Sequence, residues 1–185
     1  MSYIHICRHG QDLDNAASTL NGHRNQPLSA LGEKQAQRTA ENILKSGIHL
    51  DAIYSSPLRR AQQTAEILRT MIPAPLELEN GLIERDFGAL TGRPYSDIPK
   101  LAGDNVFQGD KVLYFLEVDG CETFPSCLDR ARRVLARLDA KHSGQHVLLV
   151  CHGDIGKMLI AARRGITWQE ALQLPYFENT EVISI

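Results

Sequence analysis

Tyr3-Ile4-His5-Ile6-Cys7-Arg8-His9-Gly10 and His146-Val147-Leu148-Leu149-Val150-Cys151-His152-Gly153 are the two stretches whose reading decides the fold. Each is a short, largely apolar run that stops at His-Gly. Runs of this length, bounded by glycine, read as buried strands. Their near-continuous apolar character places them in a mainly parallel sheet covered on both faces. Ligands of open α/β sheets bind beyond the carboxyl ends of the strands. If the two strands are neighbours, His9 and His152 meet at that edge, and Gly10 and Gly153 let the backbone turn sharply and a ligand approach closely.

Outward from these strands, helices alternate with further strands. Ser29 is a helix cap, and Ala36, Ala40, Ile43 and Leu44 form one face of a helix running to about Lys45, with Gly47 as its stop. Leu50–Tyr54 reads as a strand. Ser56-Pro57 is expected to open the next helix as N-cap and first residue. Leu58, Ala61, Ala65, Leu68 and Ile72 give that helix its buried stripe. Leu76–Leu78 is a strand, Phe124–His142 and Asp154–Arg163 are helices, Thr167–Leu172 is a short helix and Glu181–Ile185 a closing strand. The alternation predicts an α/β fold, a three-layer sandwich with a mainly parallel central sheet and helices on both faces. Between Asn80 and Gly120 six glycines interrupt the pattern, so that stretch reads as irregular loops with short helical pieces. Long connections of this kind in compact domains usually carry function.

Composition sets bounds around this reading. At 185 residues the chain has the length of one domain, 1–185. With 43% hydrophobic and 23% charged residues it has a globular balance. Twenty Lys and Arg against 22 Asp and Glu leave a formal charge of −2, which argues against a general nucleic-acid binder. No stretch reaches the roughly 20 apolar residues that span a bilayer, and no leader is visible at the N-terminus. Cys7, Cys121, Cys127 and Cys151 are scattered without a CxxC pair, which reads as reduced thiols in a cytoplasmic protein.

Charge is nevertheless concentrated locally. Arg8 adjoins His9, and Arg59 and Arg60 lie at the start of a helix, where the macrodipole disfavours cations by roughly 0.3–1 kcal/mol each. Residues that break a local rule often serve a site. A helix N-terminus flanked by guanidinium groups suits a phosphate. Arg59 reads as a solvated surface charge, and Arg60, beside the buried Ala61 stripe, as part of a site. A zinc site of His9, His152, Cys7 and Cys151 is disfavoured, because the neighbouring arginines repel a cation and no locally paired metal motif occurs. His5 reads as packed or edge-exposed, His23 as a loop residue within reach of a substrate or merely solvated, and His49, His142 and His146 as turn residues without partners.

Arg8-His9-Gly10, Asn15, Pro27–Gly32, Tyr54–Glu66, Glu84–Gly88 and Val150–Asp154, taken in this order, resemble the first branch of the histidine phosphatase superfamily, the phosphoglycerate mutase-like family. The resemblance spans nearly the whole chain and implies that family's fold. It implies that His9 is a nucleophile carrying the phosphoryl group as phosphohistidine, and that Arg8, Arg60 and His152 hold the phosphoryl oxygens. By the same resemblance Glu84 is the proton donor to the leaving oxygen and Asn15 lines the phosphate site, with no metal or cofactor. Asn21, Gly22 and His23, from the Asn21–Gln26 loop, and Gly153 are expected at the substrate. Specificity is expected from that loop and from a variable insertion at about 85–122. There Phe87, Tyr95, Phe107, Tyr114 and Phe115 form either an apolar wall or ordinary packing.

The chain departs from the family pattern at four points. Gln11 and Asp12 stand where Glu and Thr commonly follow Arg-His-Gly. Asn25 replaces a frequent Asp, and Cys151 a common Ser or Thr. The expected activity is metal-independent hydrolysis of a small phosphorylated metabolite. A phosphoglycerate mutase is the alternative, disfavoured by the modest length of the 85–122 stretch, and a non-catalytic phosphate-binding module is the second alternative.

Overall fold

A computed structural model describes residues 1–185. Its elements are β1 (Tyr3–Arg8), α1 (Leu13–Ala16), α2 (Ala30–Ser46), β2 (Ala52–Ser55), α3 (Arg59–Met71), β3 (Leu76–Leu78), α4 (Ile98–Ala102), β4 (Val106–Gln108) and β5 (Leu113–Phe115). These are followed by α5 (Phe124–Lys141), β6 (His146–Cys151), α6 (Gly153–Arg164), α7 (Trp168–Gln173) and β7 (Val182–Ser184). The central sheet has the order β3-β2-β6-β1-β7, parallel except for β7 at one edge.

The apolar strands are apolar on both sides because both sides are covered. Ile4 and Ile6 of β1, with Val147, Leu149 and Cys151 of β6, pack under α5, α6 and α7. Cys7, Leu148 and Val150 point the other way, onto Ala40 and Ile43 of α2 and Ala61, Ala65 and Leu68 of α3. Each Val, Leu or Ile so buried contributes about 1.5–3 kcal/mol relative to exposure. The expected three layers are therefore present, and β1 and β6 are neighbours in register, with Arg8 opposite Cys151.

Several local expectations are corrected. The helix after Ser56-Pro57 starts at Arg59, with Leu58 as an extended cap that makes no side-chain bond. The Asn25 side chain instead accepts the Arg59 N–H at 2.7 Å, so a loop far upstream does the capping. The strand expected at Leu50–Tyr54 lies at Ala52–Ser55. Leu44 is 48% exposed, one step beyond the buried stripe of α2. The stretch read as loops holds a hairpin, β4–β5, over a third small core that includes Leu20, Phe87, Leu90 and Phe115. His142 and His146 are not partnerless. His142 bonds Tyr54 and Gln145, and His146 bonds and stacks on His5. All four cysteines are free, and burial pushes the Cys7 thiol up to about 12. No helix is long and apolar enough to cross a membrane.

Candidate active site

The carboxyl ends of β1 and β6 bring His9 and His152 together, their rings 5.0 Å apart and tilted by 56°. The His9 N–H still bonds the Cys151 carbonyl at 3.0 Å, which ties the residue to the sheet. His9 Nδ1 lies 2.7 Å from the Gly10 carbonyl, an acceptor only, so Nδ1 carries the proton and Nε2 keeps its lone pair. Arg60 Nε, 3.2 Å from both His9 Nε2 and His152 Nδ1, donates to the same pair of imidazoles. His152 then carries its proton on Nε2 and donates it to Ser56 Oγ at 2.7 Å. Burial, first, and the adjacent arginines hold both histidines well below the usual imidazole range. Both are neutral at physiological pH.

Arg60 is fully buried in the first turn of α3. Its terminal nitrogens donate to the carbonyls of Arg24 and Gly22 at 2.8 and 2.9 Å. Gly22 has φ +45°, and a Cβ there would lie 3.0 Å from the Phe87 side chain, so the carbonyl that receives Arg60 needs glycine. A Cβ on Gly10 would meet the Gly32 carbonyl at 2.5 Å, since the start of α2 passes directly against the turn after His9. Arg8, 7% exposed, donates through one nitrogen to the Tyr176 hydroxyl and the Phe177 carbonyl, both at 2.6 Å. Its Nε is buried with no partner in the protein.

Glu84 approaches from the loop after β3. Its carboxylate accepts the N–H groups of Arg85 at 2.9 Å, Ile155 at 3.1 Å and Asp154 at 3.3 Å, the last two at the N-terminus of α6. Burial and then the charge of Asp154 raise its pKa, against the pull of the Arg85 and Ile155 N–H groups and Arg60. The result is a carboxyl group biased toward its protonated form.

Arg8, His9 and Glu84 open onto a cavity of about 460 Å³, which Asn15, Asn21 and Gly153 also line. Asn15 Oδ1 accepts from Asn179 at 3.3 Å, and Asn179 also donates to the His9 carbonyl at 2.9 Å. Asn21 donates to Asp12 at 2.7 Å. Gly22, His23, Arg60 and His152 are not among the walls and lie behind them, Arg60 and His152 fully buried against His9. Gly22 receives Arg60, while His23 Nε2 lies 2.7 Å from the Glu84 carbonyl. Phe87, Tyr95, Tyr114 and Phe115 do form a wall, whereas Phe107 packs against Trp168. No three His, Cys, Asp or Glu side chains are grouped to hold a metal ion.

A sequence profile of the histidine phosphatase superfamily (branch 1) matches residues 4–185. The chain belongs to this family. Among relatives, it is 31% identical over 153 residues to the uncharacterized phosphatase PhoE of Bacillus subtilis (strain 168), covering 83% of this chain and 72% of that protein. It is 34% identical over 170 residues to the 2,3-bisphosphoglycerate-dependent phosphoglycerate mutase of Methylorubrum populi (strain ATCC BAA-705 / NCIMB 13946 / BJ001), covering 88% and 79%. The solved structure of Bacillus stearothermophilus YhfR superposes with a TM-score of 0.83 at 25% identity, over 98% of this chain and 89% of that one. The relatives therefore include proteins named as phosphatases and proteins named as mutases.

Within this member of the histidine phosphatase superfamily, further residues surround the site. Asp12 is fully buried, caps α1 through the Asn15 N–H at 2.7 Å, and places Oδ2 3.3 Å from Arg60 Nε. Burial raises its pKa, although Arg60 and its hydrogen bonds pull the other way. Arg85 is buried among Phe87, Phe115 and Phe124 and donates to Asp154 at 2.8 Å. Lys157 Nζ donates to the carbonyls of Leu174 and Pro175, both at 2.6 Å, and burial brings its pKa down to about 8. One signal was legible for Lys157, a lone cation inside the apolar run Ile155–Ala161. Tyr176 and Asn179 had none.

Proposed function

We propose that this protein hydrolyses small phosphate monoesters through a phosphohistidine on His9. The observation that carries this reading is the Nε2 lone pair of His9, fixed by the Gly10 carbonyl on Nδ1 and facing Arg60 and His152. A neutral, oriented imidazole is a competent nucleophile. In the first step Nε2 bonds to phosphorus, the P–O bond to the alcohol breaks, and protonated Glu84 gives its proton to the departing oxygen. The charges of Arg8 and Arg60 neutralise and orient the transferring oxygens, the main requirement of phosphoryl transfer, and His152, neutral and bonded to Ser56, holds Arg60 beside His9. In the second step water attacks phosphorus, Glu84 accepts the water proton, and the P–N bond breaks to return His9 and release phosphate. The substrate is a small phosphorylated metabolite, with no nucleic-acid or membrane partner, and the four free thiols fit a cytoplasmic enzyme.

A mutase reading has the Methylorubrum relative in its favour. It differs in one respect, since the phosphohistidine must be shielded from water and returned to substrate. The test is release of inorganic phosphate from an aryl phosphate at mildly acid to neutral pH, with chelator present, by wild type and His9→Ala. Chelator-resistant release that falls by at least about 10³-fold in His9→Ala is the expected outcome. Interconversion of phosphoglycerates without phosphate release would establish the mutase. Phosphate binding without either turnover would establish the binding module.

A further inference from the structure

Arg60 and Glu84, which the proposed reaction brings to one phosphorus, come from separate parts of the chain and meet on a single turn. The 21–24 turn is closed by the Arg24 N–H on the Asn21 carbonyl at 2.8 Å. Both of its ends are anchored to buried carboxylates, Asn21 donating to Asp12 at 2.7 Å and Arg24 to Asp14 at 2.8 Å. The Gly22 and Arg24 carbonyls receive the terminal nitrogens of Arg60. Between them, His23 places Nε2 2.7 Å from the Glu84 carbonyl. A carbonyl only accepts, so His23 carries a proton on Nε2 and donates it there.

Glu84 needs such a partner because residues 84–86 lie in neither helix nor strand, and no ladder fixes them. Arg130 of α5 donates to the Gly81 and Ile83 carbonyls at 2.8 and 2.7 Å, which holds the approach to Glu84, but its contact with the Glu84 carbonyl is 3.5 Å long. His23 supplies the one short bond to that carbonyl. At the other end of the residue the carboxylate rests on N–H groups of α6, none of which ties it to Arg60.

We propose that His23 is a positioning residue for Glu84. Through it the turn that seats Arg60 also sets the proton donor, so the phosphoryl oxygens and the leaving oxygen are served from one frame. The chemical part of this role rests on the phosphatase reading, whereas the placement of the Glu84 carboxyl does not.

With glycerol 2-phosphate, whose alkoxide needs protonation, His23→Ala is expected to lower kcat about ten- to hundredfold, the cost of misplacing a reacting group by about 1 Å or less. With p-nitrophenyl phosphate the loss should be much smaller, and inhibition by inorganic phosphate should not change, since Arg60 keeps its two carbonyls. His23→Gln, whose amide nitrogen reaches about as far as Nε2, should restore most of the lost rate. In a Glu84→Gln background His23→Ala should cost nothing further, because residues that act through one group are not additive. Equal losses on both esters, or a full further loss in the Glu84→Gln background, overturn the proposal. The Glu84 carboxyl also reports independently of turnover. In protein labelled with carbon-13 at the glutamate carboxyl carbon, its NMR signal, identified by its absence from Glu84→Gln, should move in His23→Ala and return in His23→Gln. An unmoved signal in folded His23→Ala overturns the proposal. If the signal moves and returns while wild type hydrolyses neither ester, the phosphatase reading fails and the positioning of Glu84 by His23 stands.

Discussion

His9 and His152 stand on the ends of two central strands, whereas the aromatic walls of the same cavity hang from the 85–122 stretch and the 174–179 segment. At the strand ends, position comes from the sheet register, and each imidazole is oriented by a fixed acceptor, Gly10 or Ser56. At the loop end, order comes from a central cation, Arg85, that gathers three aromatic rings and the carbonyls of Phe115 and Glu122. The difference teaches where chemistry and selectivity can vary independently. In the proposed reaction, changes at the strand ends act on the phosphoryl group whatever alcohol is attached. Changes at the loop end act through the alcohol.

Glu84 lies on the seam between the two ends, so its variants break the comparison most severely. Glu84→Gln keeps the shape and acceptor oxygen but supplies no acidic proton. For alkyl phosphates, whose alkoxide leaves poorly, kcat is expected to fall about 10²–10⁴-fold, the usual value of general acid catalysis. For p-nitrophenyl phosphate the loss should be much smaller, because that leaving group needs little protonation. Equal losses on both esters would remove Glu84 from the proton-donor role. The pH dependence follows with a definite sign. Glu84 has a raised pKa and, in the proposed mechanism, acts in its protonated form, so the alkyl-ester rate is expected to decline as pH rises through that value. His9 and His152, pushed down, stay neutral into mildly acid solution and do not limit the acid side there. A pH–rate profile whose alkaline limb vanishes for p-nitrophenyl phosphate would show this.

How legible each end was in the sequence follows from the same contrast. The strands and long helices were readable because their apolar periodicity is the cause of their burial. His9, His152 and Arg60 followed from strand ends and a helix start that break local preference. Asp12 was visible only as a departure from the family pattern. Its contact with Arg60 depends on α3 reaching back under the turn after β1, which no local pattern encodes. The β4–β5 hairpin was missed because its strands are three residues each and lack a clean alternation. Tyr176 and Asn179 reach the site from a stretch without regular structure, more than 160 residues from their partners in sequence.

Asp12 is the sharpest probe of the strand end, because it sets a carboxylate against one of the two arginines proposed to hold phosphate. Asp12→Asn retains the side-chain oxygen that caps α1 and removes a unit of opposing charge from Arg60. Inorganic phosphate is therefore expected to inhibit the variant more strongly, by up to about tenfold for one full charge. The cost to the fold is the Asn21 hydrogen bond to Oδ2, which an amide nitrogen cannot accept, and thermal unfolding of the variant measures it. Weaker phosphate inhibition in a folded variant would mean that Asp12 serves to orient Arg60 rather than to temper its charge.

Tyr176 carries the smallest expected effect, and it joins the two ends. Its hydroxyl accepts from Arg8 at 2.6 Å while its ring lies 5.2 Å from the guanidinium. Lys157 anchors the residues just before it, so Tyr176 is presented by a strap held at Leu174 and Pro175. Tyr176→Phe keeps the ring and the strap and removes one hydrogen bond, whose net value is about 0.5–1.5 kcal/mol, or about two- to tenfold. Arg8 retains the Phe177 carbonyl as a partner, which should hold the loss near the lower end. The loss should appear in KM for every ester alike, with kcat nearly unchanged, because Arg8 belongs to the phosphoryl end. A loss confined to aromatic esters would instead place Tyr176 with the leaving-group wall, and the boundary between the two ends would move to the other side of Arg8.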